Sequence, residues 1–149
     1  MKQMLKAAAL AVTLSLACAT PALADDPWPT DTGDYVEVGM ISVADGHDLD
    51  YMNFLAGQWR KTQDFAKAQG WITGYEILAN LNKRQGEPDY YLITRFARIP
   101  DKAEEKKRDE AYDAYIKMTQ AELLAGSAER AKYRTQMGSQ MLRSLVWKK

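Results

Sequence analysis

The chain has 149 residues, with 20 Lys and Arg against 20 Asp and Glu, so its formal net charge at pH 7 is zero. The charges are mixed along the chain and form no basic patch, which argues against nucleic acid as a partner. The length predicts one domain. The sequence contains no phosphate-binding glycine loop, no G-x-S-x-G elbow and no zinc-ligand spacing, which argues against NTPases, dinucleotide enzymes and hydrolases.

The N-terminus has the three parts of a secretory signal. Lys2 and Lys6 form a positive segment, an apolar run follows from Ala7 to Ala17, and Ala22-Leu23-Ala24 is a small-x-small cleavage site. The apolar run is too short to span a bilayer. The sequence therefore predicts a signal peptide over residues 1–24, cleavage after Ala24, and a periplasmic or secreted protein without a membrane segment.

Cys18 offers an alternative form of export. A lipoprotein is cut just before a cysteine that then carries lipid, but the position that is usually aliphatic in that pattern is Ser15 here. Cleavage after Ala24 removes Cys18, which is the only cysteine. A disulfide, a thiolate metal site and a cysteine nucleophile are then excluded from the mature chain.

The first half of the mature chain predicts a leader, a strand and a helix. Asp25–Asp34 contains two prolines and four aspartates and predicts a flexible leader. Tyr35–Val43 is rich in β-branched residues and predicts the first strand. A turn follows, and we expect Asp48 or Asp50 to cap a helix that ends at Gly70. The apolar stripe predicted for that helix comprises Leu49, Met52, Leu55, Ala56, Trp59, Gln63 and Ala66.

The second half predicts a hairpin, a helical region and a last strand. The expected elements are strands at Trp71–Asn82 and Asp89–Ile99, a helix at Lys102–Gln120, a further helix at Ala121–Met137 that Gly126-Ser127 weakens, and a strand at Gln140–Trp147. The order β-α-β-β-α-β predicts an α+β, ferredoxin-like sheet in the order 4-1-3-2, with the helices on one face. The helix-free face carries apolar residues, so we expect a homodimer that stacks two such faces.

A resemblance to a known superfamily rests on two segments, "GWITGYEILANL" and "DYYLITRFARI". Together they resemble the dimeric α+β barrel superfamily, and in particular its antibiotic-biosynthesis-monooxygenase-like branch. The positions that carry the resemblance are Gly70, Gly74, Tyr75, Glu76, Ile77 and Phe96. It implies a dimeric α+β barrel domain over residues 35–149 and a function on small aromatic molecules, since members of the superfamily oxidise phenols, degrade haem or bind small aromatics.

The haem-degrading members use an asparagine, a tryptophan and a histidine that lies on the second helix. The region from Lys102 to Met137 contains no histidine, and Trp59, on the first helix, does not match the tryptophan motif. The haem residues are therefore not carried over and no cofactor is expected. Haem is not excluded, and its ligand would have to be His47, a tyrosine or a methionine.

His47 is the only histidine of the chain and lies in the turn "ADGHD" before the first helix. Three roles are open to it: a catalytic base, a metal ligand, or a turn residue that leads into the helix cap. No second ligand is spaced for a metal, so no metal is expected. We interpret His47 as a turn residue, and keep it with Trp59 as a minor site candidate.

Charged residues inside the strands are the stronger candidates. Strand alternation separates Glu37 from Val36, Val38 and Met40, which suit the helix-covered side. Glu37 would then face the barrel lumen. Glu76, Arg95 and Arg143 are predicted to join it there, in a pocket rimmed by Tyr35, Tyr75, Tyr91 and Trp147. The alternative is that the charges form cross-strand ion pairs that serve the structure alone.

These residues predict a function and its chemistry. Glu76 or Glu37 would act as a base if it is desolvated, and Arg95 or Arg143 would hold a carboxylate through two hydrogen bonds. The first hypothesis is an exported small-molecule-binding protein with a polar and aromatic pocket in the barrel lumen. One alternative is a cofactor-independent oxygenase or isomerase acting on a small aromatic substrate. The other is a structural or interaction module without a pocket.

Overall fold

A computed structural model describes residues 26–149. The predicted signal peptide, with Cys18 and the cleavage site after Ala24, lies outside these residues. The elements are β1 (Thr30–Val43), α1 (Asp48–Phe54), a π-helical turn (Leu55–Trp59), α2 (Arg60–Ala68), β2 (Gly74–Ala79), β3 (Tyr90–Phe96), α3 (Lys102–Ile116), α4 (Gln120–Ala131) and β4 (Arg134–Trp147). Among the described residues, no helix has the length and apolar character needed to cross a membrane.

The four strands form one antiparallel sheet in the order β2-β3-β1-β4. This confirms the predicted order 4-1-3-2 and gives an α+β architecture compatible with a ferredoxin-like fold. β1 is central and pairs with β4 from Thr30↔Trp147 to Val43↔Arg134. The two edges of the sheet are therefore the short β2 and the long β4.

Both long strands extend further than the sequence predicts. β1 begins at Thr30, so the second half of the expected leader lies in the sheet, and β4 begins at Arg134 instead of Gln140. β1 and β4 pair along their backbones, and this pairing keeps the polar residues at the start of each strand in an extended conformation. The close approach requires Gly33, since a Cβ there would lie 2.5 Å from Ser144 Oγ.

The core lies between α1 and the sheet. Tyr51 and Leu55, one turn apart, are fully buried against Ile41 and Val43 of β1. The predicted stripe was wrong at Leu49, which is 71% exposed. The helix is rotated so that the Tyr51 ring, a larger apolar surface than Leu49, faces the sheet.

The second helical region consists of two capped helices. Asp101 accepts a hydrogen bond from Glu104 N at the start of α3, and Thr119 forms a reciprocal capping box with Glu122 at the start of α4. Between them Lys117 has a left-handed backbone (φ 54°), which ends α3 earlier than predicted. α4 continues through Gly126 and ends at Ala131, before the predicted end at Met137.

Candidate functional site

The side chains of β1 show which face of the sheet the first helix covers. Ile41 and Val43 contact α1, so the face that they share is the helix face. Alternation along the unbroken pairing with β3 places Val36, Val38 and Met40 on the opposite, second face. The prediction that these three residues lie under the helices was therefore wrong. Apolar residues occur on both faces of β1, so alternation alone did not identify the helix side.

The four charged strand residues are divided between these faces. Glu37 and Arg143 lie on the helix face, whereas Glu76 and Arg95 lie on the second face. Arg95 donates to Glu76 Oε1 at 2.7 Å, and both side chains are about two-fifths exposed (40% and 44%). The protomer thus contains one cross-strand ion pair where a cluster of four charges was predicted.

Arg143 is held in place by two contacts with β1. Its guanidinium lies 3.9 Å from the centre of the Tyr35 ring, and its Nε donates to the carbonyl of Gly33 at 2.9 Å. Tyr35 in turn stacks on Phe96. These contacts fix the arginine along the β1–β4 pair.

The predicted aromatic rim is dispersed. Tyr91 lies on the second face, opposite Leu78, while Trp147 is 74% exposed at the end of β4. Tyr75 lies on the helix face at the other edge of the sheet, where its ring meets the edge of Trp59 at 5.4 Å. The predicted site residues thus meet as three separate pairs, which are Tyr75 with Trp59, Glu76 with Arg95, and Tyr35 with Arg143.

A cleft of about 340 Å³ opens at the contact of Tyr75 with Trp59, between the first helical region and β2. Most of the residues that line it are apolar, and Arg60 and Glu76 are the two charged residues among them. The lining residues are Met52, Leu55, Ala56, Trp59, Arg60, Tyr75, Glu76 and Ile77. The volume lies at the lower end of the range of about 300–1,000 Å³ for small-molecule sites, and suits a molecule of one or two rings.

The π-helical turn Leu55–Trp59 forms one wall of the cleft. A π turn is wider than an α turn and is common at functional sites. Here it contributes Leu55, Ala56 and Trp59 to the lining. The small Ala56 and the exposed Gly57 leave space at the mouth. The local distortion and the cleft therefore coincide.

The polar rim of the cleft orients Tyr75. Its hydroxyl donates to Asp64 Oδ1 at 2.5 Å, and Arg60 Nε lies 3.6 Å from Asp64 Oδ2. The hydrogen bond to Asp64 raises the pKa of the Tyr75 hydroxyl, followed by a smaller effect of burial. Tyr75 is thus a neutral, oriented aromatic wall.

His47 lies away from the cleft, at the N-cap position of α1. Its side chain makes no capping hydrogen bond, and Asp48 and Asp50 lie in the first turn, so the predicted aspartate cap was wrong. Asp48 accepts from Tyr90 instead, at 2.7 Å. His47 Nδ1 lies 2.8 Å from Asp50 Oδ2, and the imidazole stacks on Tyr133. Across residues 26–149, no three His, Cys, Asp or Glu side chains are grouped to hold a metal ion.

No family model matches the chain, and neither does any curated protein or any solved structure. The resemblance to the dimeric α+β barrel superfamily therefore stays a prediction.

The lining residues that the sequence did not predict as part of a site are Met52, Leu55, Ala56, Arg60 and Ile77. Met52 and Ala56 were in the predicted apolar stripe together with Trp59 and were interpreted as core. The signal that distinguishes them is Gly57, because a glycine inside a helix lowers the preference for regular α-helix at that point.

Proposed function

We propose that this protein binds a small, largely apolar aromatic molecule in the cleft between the π-helical turn and β2. The observation that carries the proposal is the contact of Trp59 with Tyr75 in a mostly apolar lining, at the only site where a helix distortion and a cleft coincide among the residues described. An aromatic ring stacked on either residue would gain about 0.5–1.5 kcal/mol beyond the burial of its area.

Binding is favoured over turnover by the state of the two candidate bases. A general base needs a perturbed, desolvated carboxylate in the site. Glu76 is nearly half exposed and paired with Arg95, and Glu37 is exposed on another part of the sheet. The oxygenase or isomerase hypothesis therefore has less support than the binding hypothesis.

Indole is a suitable probe of the cleft because it is uncharged and of the right size. We expect ligand-observed NMR to detect its binding, and we expect Ala56→Trp to abolish that binding, because the new side chain fills the mouth. Ala68→Trp, also exposed on the same helical region, is the matched control and should bind as the wild type does. Equal indole binding by all three proteins would contradict the proposal.

We further propose that the protein is a homodimer, formed through β4 and consistent with a dimeric α+β barrel. β4 is an edge strand of 14 residues, and between Gln140 and Trp147 its single charge is Arg143. Edge strands that stay unpaired are usually protected by charges, prolines or shortness. A second copy offers the same unprotected strand, so the contact closes about a two-fold axis. The exposed apolar residues of β4 are Met137, Met141, Leu142, Leu145, Val146 and Trp147.

Sedimentation equilibrium tests the dimer. We expect a dimer for the wild type and a monomer for Leu145→Lys, since a charge in the contact would be buried without a partner. Leu81→Lys, in the β2–β3 loop, changes a leucine that is also exposed (89%, against 64% for Leu145) and should remain dimeric. A wild-type monomer at all concentrations would remove both the dimer and the barrel.

Export is the last part of the proposal and rests on the sequence alone. Mass spectrometry of the protein isolated from its producing cell should give a mature chain that begins at Asp25. A chain that begins at Cys18 with added lipid mass would support the lipoprotein alternative, and an uncleaved chain would contradict export.

A further inference from the structure

Two arginines lie close together where α4 ends and β4 begins. Arg130 is in the last turn of α4 and Arg134 is the first residue of β4, and both side chains are half-buried. The Nε atom of each is buried and has no hydrogen-bond partner. Neither guanidinium takes part in an ion pair with another side chain of residues 26–149. This cationic pair is therefore unusual, because buried charges are normally paired.

A third unsatisfied group belongs to the same place. Tyr51 is completely buried, and its hydroxyl has no hydrogen-bond partner. Burial raises the pKa of this hydroxyl, while the positive charge of the neighbouring Arg134, the approach of the Arg134 guanidinium to the hydroxyl and the charge of Arg130 oppose that shift. A buried hydroxyl left without a hydrogen bond is destabilising, because it has given up its hydrogen bonds to water. The core thus holds a neutral donor beside two cations.

Within residues 26–149, no carboxylate forms an ion pair with Arg130 or Arg134. Burial lowers the pKa of Arg130, and the charge of Arg134 lowers it further, while the only groups that oppose this are the hydroxyls of Tyr133 and Tyr51. The two acids in the first turn of α1 have other partners: Asp48 accepts from Tyr90, and Asp50 pairs with His47. The site therefore has donors and positive charge but no anion.

The backbone and one aromatic ring hold Arg130 in this position. Its guanidinium lies 3.9 Å from the centre of the Phe54 ring. Its Nη1 approaches α4 at Gly126, where a Cβ would lie only 3.3 Å away. A glycine in the middle of a helix is destabilising relative to alanine. At Gly126 the missing side chain makes room for the guanidinium.

The geometry points to a binding site for a small oxyanion, a carboxylate or phosphate group, held by Arg130, Arg134 and the Tyr51 hydroxyl. Guanidinium groups present paired N–H donors that match two oxygens of such a group, and the neutral hydroxyl donates a further hydrogen bond. The bound anion would satisfy the buried donors and cancel the repulsion between the two cations. This site faces β4, whereas the aromatic cleft faces β2, so the inference does not depend on the proposed function.

Calorimetric titration with sodium phosphate, and separately with sodium acetate, at an ionic strength held constant with sodium chloride, tests the inference. We expect saturable binding of at least one of the two anions by the wild type, and the stronger binder identifies the source of the oxyanion. Arg134→Gln should weaken binding at least tenfold, as expected for a hydrogen bond to a charged group. Tyr51→Phe, which keeps the ring, should weaken binding while leaving the anion-free melting temperature unchanged or higher.

Arg143→Gln is the matched control, because Arg143, like Arg130, lies over an aromatic ring, but its Nε already donates to the carbonyl of Gly33. It should bind the anion as the wild type does. The anion-free melting temperature of Arg134→Gln should not fall, since the change relieves repulsion and desolvation. Absence of saturable binding by the wild type, or equal affinity in Arg134→Gln, would overturn the inference and leave ordered water as the partner of the buried donors.

Discussion

β1 and β4 have the same length and pair along almost all of it, yet they differ in what covers their side chains. β1 lies between two strands, with Val36, Ile41 and Val43 buried. β4 lies at the edge of the sheet, and six of its apolar side chains are exposed. An apolar strand residue is thus buried or exposed according to the position of its strand in the sheet. The buried residues of β1 stabilise the folded chain, whereas the exposed apolar residues of β4 form the surface through which we propose that two copies associate.

The largest expected effect on stability comes from replacing one leucine that packs against β1 and one leucine of β4. Leu55→Ala empties a site that is 1% exposed beneath β1 and should lower the free energy of unfolding by about 2–5 kcal/mol. Leu145→Ala, on β4, should change it by less than about 0.5 kcal/mol at protein concentrations low enough for monomers. Urea denaturation measures both. Similar losses for the two variants would show that β4 is covered within the protomer.

A smaller loss of stability is expected when Asp89, which binds the C-terminal end of β1, is replaced. Asp89 accepts hydrogen bonds from Ser42 Oγ and Val43 N and pairs with Lys83, and although burial opposes it, these contacts hold the pKa of Asp89 below its usual value. Asp89→Asn should lower the free energy of unfolding by about 1–2 kcal/mol at pH 7. Asp31→Asn, exposed near the other end of β1, is the control and should be neutral. An unchanged denaturation midpoint in Asp89→Asn would mean that β1 does not need this anchor.

α4 precedes β4 in the chain, and removing its N-terminal cap should lower the stability of the protein. Thr119→Ala removes the hydroxyl that accepts from Glu122 N and should lower the free energy of unfolding by about 1 kcal/mol. Thr135→Ala, exposed on β4, should have a smaller effect. Thermal denaturation followed by circular dichroism compares them. A larger loss in Thr135→Ala would indicate that β4, more than the helix before it, depends on its polar side chains.

The smallest expected effect is an acid transition at the β2–β3 loop, far from β4. Arg84 N and then the Arg84 guanidinium donate to Glu87 and lower its pKa from 4.5 to about 2. Because the folded pKa is depressed, this stabilisation is present above the ordinary value and is lost as the pH falls through about 2. An NMR titration of the Glu87 carboxyl should have its midpoint near 2, and Arg84→Gln should raise it. A midpoint near 4.5 in the wild type would contradict the contact.

The candidate site was predictable in part. Trp59 and Tyr75 were both identified from the sequence, and the structure brings them together; Glu76 and Arg95 were predicted to share a face, and they form an ion pair. Glu37 and Arg143 were placed with that pair, but they lie on the other face. A period of two specifies which residues share a face without specifying which face the helices cover.

The sequence by itself determined the order of strands and helices, since turn residues and hydrophobic periodicity act over a few neighbouring positions. It also determined the antiparallel sheet order, because short, right-handed connections leave few topologies. Only the tertiary structure decided that Tyr51 displaces Leu49 from the core, that a π turn opens a cleft against β2, and that Arg130 and Arg134 meet at Tyr51 without a carboxylate. Those features depend on packing between distant segments, and no local pattern encodes the rotation of a helix or the neighbour that a buried charge will have.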